Sequence, residues 1–182
     1  MRNDDIRIEP LTGHIGAEIH GVDLREPLGE EKHNIVHRAL MEHLVVFFRD
    51  QELTPDEHVA FGKQFGELHI HPSAPGVHGR EELMMVHTDD SSPWAEGTTW
   101  HTDVSCDAEP PMASILHLTT VPEVGGDTLF ASMYAAYEAL SDTMKAILAP
   151  LMAVHTGEGY HGRYEVIGGA QRREYESTAH PI

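Results

Sequence analysis

Apolar and polar positions change their period several times along this chain, and each change marks an element. Ile6-Arg7-Ile8 alternates and stops at Pro10, the pattern of a short strand. Thr12-Gly13 then turns the chain toward a second strand over Ala17 to Val22. From Glu30 to His43 the spacing lengthens, with Ile35, Val36, Ala39 and Leu40 at helical intervals. Leu44 to Phe48 is an unbroken β-rich apolar run, which predicts a buried strand closed by Arg49-Asp50-Gln51. Thr54-Pro55-Asp56-Glu57 is a helix start in three respects: Thr54 can cap, Pro55 suits the first turn, and Glu57 completes a capping box. That helix is expected to run to about Phe65 and stop at Gly66.

Beyond Gly66 the pattern is more broken. His69-Ile70-His71 reads as a strand end, and Leu83 to Val86 as a strand between Pro/Gly-rich loops at 72–79 and 89–97. Trp100 to Asp103 reads as extended, and Met112 to Leu118 is an apolar run after Pro110-Pro111. The turn-rich stretch Val121 to Asp127 leads to a returning strand, Thr128-Leu129-Phe130. A helix follows over Ser132 to Leu140, then a second one capped by Ser141 and ending near Pro150, then a short strand at Ala153-Val154-His155. Thr156 to Ala179 is polar and Gly-rich and reads as a mobile or lid-like segment. There is no repeat, low-complexity tract or linker, so residues 1–182 are expected to form one domain. Its fold class is mainly β with flanking helices.

Composition narrows the classes of function. Apolar residues make up 40% and charged residues 23%, as in an ordinary globular chain, and no apolar run nears the ~20 residues of a membrane helix. The polar, acidic start Met1-Arg2-Asn3-Asp4-Asp5 carries no signal-peptide pattern, and the one cysteine, Cys106, suits a reducing compartment, so a cytoplasmic location is expected. A formal charge of −18 argues against non-specific nucleic-acid binding. It also means that an anionic substrate would need donors supplied at its own site.

The candidate chemistry lies in Trp100-His101-Thr102-Asp103. On a strand His101 and Asp103 would face the same way, presenting an imidazole nitrogen and a carboxylate oxygen to one divalent ion such as Fe(II). One more His would complete a facial site with open coordination positions. Among 15 His there is a second such pair, His87-Thr88-Asp89, which runs into the loop-like Asp90-Ser91-Ser92-Pro93, and either pair could equally be a solvated polar turn. His69 and His71 would also share a face and compete for a metal.

The ordered set Ile15-Gly16-Ala17-Glu18-Ile19, Gly21-Val22-Asp23-Leu24, Val45 to Gln51, Phe65-Gly66-Glu67-Leu68-His69-Ile70-His71-Pro72, Trp100 to Asp103 and Gly125 to Leu129 resembles the TauD/TfdA family of Fe(II)- and 2-oxoglutarate-dependent dioxygenases. The resemblance runs from about Ile6 to the last residue. It implies a double-stranded β-helix (jelly-roll, cupin-like) core and an enzyme that hydroxylates a small anionic organic acid with O2, converting 2-oxoglutarate to succinate. It implies His101 and Asp103 as iron ligands, Thr128 as the hydroxyl that binds a 2-oxoglutarate carboxylate, and His71 as a donor to the substrate anion. It also implies a homo-oligomer, dimer or tetramer. Where taurine-type members carry a Tyr and an Asn, this chain has Ser73-Ala74-Pro75 and Glu96-Gly97-Thr98. The expected substrate is therefore an alkylsulfonate, a sulfate ester or an aryloxyalkanoate rather than taurine.

The family's second iron-binding His and its 2-oxoglutarate-binding Arg fall beyond the segment matched by His180-Pro181-Ile182. A fragment of a longer protein or a truncated copy is expected, with the core incomplete. His155, His161 and His180 are available as a third ligand, though none matches the family position. Two rival readings are a zinc-type metallohydrolase on a β-sandwich and a non-catalytic remnant of the dioxygenase fold.

Overall fold

The computed structural model describes residues 6–89, 91–92, 97–157, 165, 168–170 and 174–182. The acidic start, Glu96, His161 and parts of the 89–97 loop and of the lid-like segment lie outside the described residues. The chain forms two compact units, Met1–Gly66 with Leu116–Lys145, and Glu67–Ile115 with Ala146–Ile182.

In the first unit, β1 (Arg7–Pro10) pairs antiparallel with β2 (Ala17–His20), and β2 pairs parallel with β3 (Val46–Phe47). The connection turns where Thr12-Gly13 predicts it. The Thr12 hydroxyl accepts from His14 N and Ile15 N, and Leu11 N donates to Gly16 O at 2.9 Å. Helix α1 (Gly29–His43) buries Val36 and Ala39 and ends at Leu44, which holds a left-handed φ of 66° while its N–H reaches Leu40 O. Ile19, Val22, Leu24, Leu28, Val36, Ala39 and Phe61 form one apolar cluster, so the helical stripe and the inward strand positions bury each other.

Gln51 ties this unit together. Its side-chain oxygen accepts from Leu24 N at 3.0 Å, its amide donates to Arg49 O at 2.9 Å, and its own carbonyl accepts from His117 Nε2 at 3.1 Å.

Helix α2 (Pro55–Lys63) begins with the capping box read from the sequence. Thr54 N donates to Glu57 Oε2 at 2.8 Å, and Glu57 N donates to Thr54 Oγ1 at 3.3 Å. The Thr54 backbone N–H, then its hydroxyl, holds the Glu57 carboxyl below its ordinary range. A carboxyl depressed in the folded state stabilises above its unfolded pKa. That contribution fades as pH falls through the folded value, so the cap weakens only in acid. Thr54→Ala removes the cap and is expected to cost about 1 kcal/mol, read as a lower urea midpoint at unchanged slope. Helices α3 (Met133–Glu138) and α4 (Asp142–Leu148) start at Ser132 and Ser141, whose hydroxyls accept from Ala135 N and Met144 N.

In the second unit, β4 (Met152–Thr156) pairs antiparallel with β5 (Ser177–Pro181), with Ala153 opposite His180 and His155 opposite Thr178. Both strands alternate exposed and half-buried positions, so Ala153, His155, Thr178 and His180 share the inner face. Strand β5 corrects the reading of 156–179 as wholly lid-like: 177–179 are paired. The polar composition hid the strand because its pairing comes from β4. Gly157, at the end of β4, is buried, and a Cβ there would lie 2.7 Å from Tyr175 Cβ, so only glycine allows this approach.

Small sheets with flanking helices are present as expected, but several predicted strands are not. His69 to His71, Leu83 to Val86, Trp100 to Asp103, Met112 to Leu118 and Thr128 to Phe130 belong to no ladder among the described residues. Local apolar patterning marks a segment able to pair, whereas a strand exists only when a neighbour supplies its hydrogen bonds. No helix among the described residues is long and apolar enough to cross a membrane.

Candidate metal centre

His101 and Asp103 converge, though not by strand alternation. Asp103 opens a tight turn over 103–106 in which Asp107 N donates to Val104 O at 3.0 Å. Val104 has φ 51°, a left-handed conformation that a β-branched residue adopts only at a cost. This turn brings the carboxylate back toward the imidazole, and no pleat holds the pair.

His101 Nδ1 lies 2.8 Å from the carbonyl oxygen of Thr99, which can only accept, so Nδ1 carries a proton. In the neutral ring Nε2 then presents a lone pair, and it faces Asp103 Oδ1 at 3.3 Å. A lone pair and a carboxylate oxygen repel each other unless a cation lies between them, either a second ring proton or a metal ion. Two ligands at right angles on an ion with bonds of about 2.1 Å stand about 3 Å apart, close to the spacing here.

Outer contacts hold both groups. The Thr99 carbonyl orients the ring, and Ser114 Oγ donates to Asp103 Oδ2 at 2.5 Å, which fixes the carboxylate and leaves Oδ1 to ligate. The side chains are 48% and 53% exposed, so one side of the pair is open to further ligands. A nitrogen and an oxygen donor set this way fit Fe(II). Ser114 was missed in the sequence, where it is one hydroxyl inside an apolar run.

The second pair is built differently. Asp89 Oδ2 meets His87 Nε2 at 3.0 Å, and its Oδ1 accepts from Ser91 N at 2.8 Å and Ser91 Oγ at 2.7 Å. The His87 ring first, then Ser91, holds this carboxyl far below the usual range. Both oxygens are occupied in closing a loop turn, and no oxygen is left over as Oδ1 of Asp103 is.

Among the described residues no three His, Cys, Asp or Glu side chains converge as a metal site. Two of the available third ligands are engaged elsewhere: His155 Nδ1 meets Ser105 Oγ at 2.9 Å, and His180 Nε2 meets Ser105 O at 3.0 Å. His161 is outside the described residues. His69 Nε2 lies 3.5 Å from Asp107 Oδ2, so the two His of His69-Ile70-His71 do not act together.

His71 Nδ1 accepts from Ser73 N at 3.1 Å and Ala74 N at 2.8 Å, so the ring proton sits on Nε2, a donor suited to an anion. Tyr175 sits against this turn: its hydroxyl is 2.5 Å from Ser73 Oγ, and its ring meets the His71 ring edge-on at 6.1 Å. An aromatic side chain therefore stands beside His71, brought from a segment read as lid, and no local signal pointed to it. Thr128 belongs to the first unit. It is exposed, two residues past Gly125 and Gly126, whose φ values of 79° and 74° make the predicted turn.

Comparison with known proteins bears on the same residues. The family described as taurine catabolism dioxygenase TauD, TfdA family matches residues 7–182. An alkylsulfatase of Acinetobacter baylyi is 38% identical over 86% of this chain and 49% of its own length. An alpha-ketoglutarate-dependent sulfate ester dioxygenase of Pseudomonas putida is 36% identical over 85% of this chain and 50% of its own. A crystal structure of a taurine dioxygenase from Burkholderia xenovorans superposes with a TM-score of 0.77 at 39% identity, covering 97% of this chain and 57% of that one. The chain thus spans about half the length of the curated relatives it matches.

Proposed function

Since the chain belongs to the TauD/TfdA family of taurine catabolism dioxygenases, we propose that the protein is an Fe(II)- and 2-oxoglutarate-dependent dioxygenase acting on a small anionic organic acid. The observation that carries this reading is the lone pair of His101 Nε2 facing Asp103 Oδ1 across 3.3 Å, a gap that calls for a cation.

When bound, Fe(II) with 2-oxoglutarate supplies the oxidation, in which O2 delivers one oxygen atom to the substrate and one to succinate as CO2 leaves. This chain's own residues hold and orient. His101 and Asp103 are the ligands, kept in aim by Thr99 and Ser114. The hydroxyl of Thr128 binds a carboxylate of 2-oxoglutarate. His71 donates from Nε2 to the substrate anion, the local donor that so acidic a protein needs. The names of the relatives favour a sulfate ester or alkylsulfonate, with aryloxyalkanoates next. A single domain with a jelly-roll core, a cytoplasmic location and assembly as a dimer or tetramer belong to the same proposal.

The test uses the intact protein without oxygen. Fe(II) plus 2-oxoglutarate is expected to give a weak visible charge-transfer band that His101→Ala abolishes. With oxygen, succinate should form fastest with alkyl sulfates or sulfonates and slowest with taurine. No band in the parent protein, or turnover with Zn(II) and no oxygen demand, would overturn the reading.

A further inference from the structure

We propose that His155 and His180 are positioning residues for the metal motif: from the inner face of the β4–β5 hairpin they clamp the strained turn that leaves Asp103. The inference rests on His101 and Asp103 being the metal ligands. The His180 Nε2 proton reaches two carbonyl oxygens, Ser105 O at 3.0 Å and Asp107 O at 3.2 Å, so it is necessarily a donor. His155 Nδ1 holds the Ser105 hydroxyl at 2.9 Å. The two rings meet edge to face, 5.4 Å between centroids at 77°, so each limits the other's rotation. From the far end of the hairpin, Glu176 accepts from Ala108 N at 3.0 Å.

Every one of these contacts lands within five residues of Asp103, on a turn that needs holding. Val104 at φ 51° would relax toward an ordinary backbone if released, and that relaxation would swing Asp103 Oδ1 away from His101 Nε2. Val104 supplies the strain and the hairpin opposes it. Period-two alternation explains how both rings reach one turn: they lie on the same face of adjacent strands, diagonally across the ladder.

The experiment compares His180→Phe, His180→Gln and the parent protein by amide hydrogen exchange and by Co(II) binding followed in the visible spectrum. In His180→Phe, exchange over 105–108 is expected to rise about tenfold while β4 and β5 keep their protection, and Co(II) affinity is expected to fall about 10- to 100-fold. His180→Gln retains an N–H donor and should recover most of both. Should His180→Phe fail to fold, Val104→Gly carries the test: with the strain gone, His180→Gln should no longer alter exchange of the turn. Unchanged exchange over 105–108 in His180→Phe overturns the clamp, and so does a loosened turn with unaltered Co(II) affinity. A parent protein that takes up no Co(II) overturns the metal reading instead, and the exchange result, which needs no metal, tells the two failures apart.

Discussion

Asp103→Ala is expected to remove Fe(II) binding and succinate formation, while Asp89→Ala leaves both at the parent level. Both residues sit two positions after a histidine, and both carboxylates contact that histidine. They differ in what is left over. Asp89 uses Oδ1 on Ser91 and Oδ2 on His87, so it closes a turn and has no oxygen to give. Asp103 spends Oδ2 on Ser114 and keeps Oδ1 facing a nitrogen lone pair. Loss of a supporting contact around a metal ligand weakens binding about 10- to 100-fold, so loss of the ligand itself should exceed about 100-fold. Anaerobic Fe(II) titration and a succinate assay check the pair. Equal loss in both variants would sink the assignment, because it would mean that a His-x-Asp pair matters only for folding.

The largest effect on stability is expected from Phe61→Ala. Phe61 is 4% exposed, belongs to the cluster that joins β2, α1 and α2, and meets Phe48 and Phe65 edge-on at 6.0 and 5.3 Å. Truncation leaves a cavity lined by rings that cannot all collapse into it, at a cost of about 3–5 kcal/mol. Most of a domain's margin is of that order, so the first unit should melt early or fail to form. Urea unfolding followed by circular dichroism checks it; a loss under about 1 kcal/mol would mean that the cluster repacks.

Sequence patterning served well where an element carries its own instructions. Thr54, Pro55 and Glu57 specify a helix start by themselves, because capping is settled within four residues. The α1 stripe and the Gly125-Gly126 turn are of the same kind. Patterning failed where hydrogen bonds had to come from afar: Met112 to Leu118 has the composition of a strand and pairs with nothing described, while the polar Ser177–Pro181 is a strand because β4 lies beside it.

The candidate site divides along the same line. The sequence by itself determined which residue types stand two apart after Trp100, and the ordered motifs that the family match over 7–182 bears out. Only the tertiary structure decided between the two His-x-Asp pairs. That choice depends on which oxygen each carboxylate has free, and Thr99, Ser114 and Ser91 settle it through hydrogen bonds. Nor could spacing reveal the means of convergence: a left-handed valine and a turn gripped by two histidines about fifty and seventy-five residues away. Contacts over such separations are made by chain folding, and no local rule encodes them.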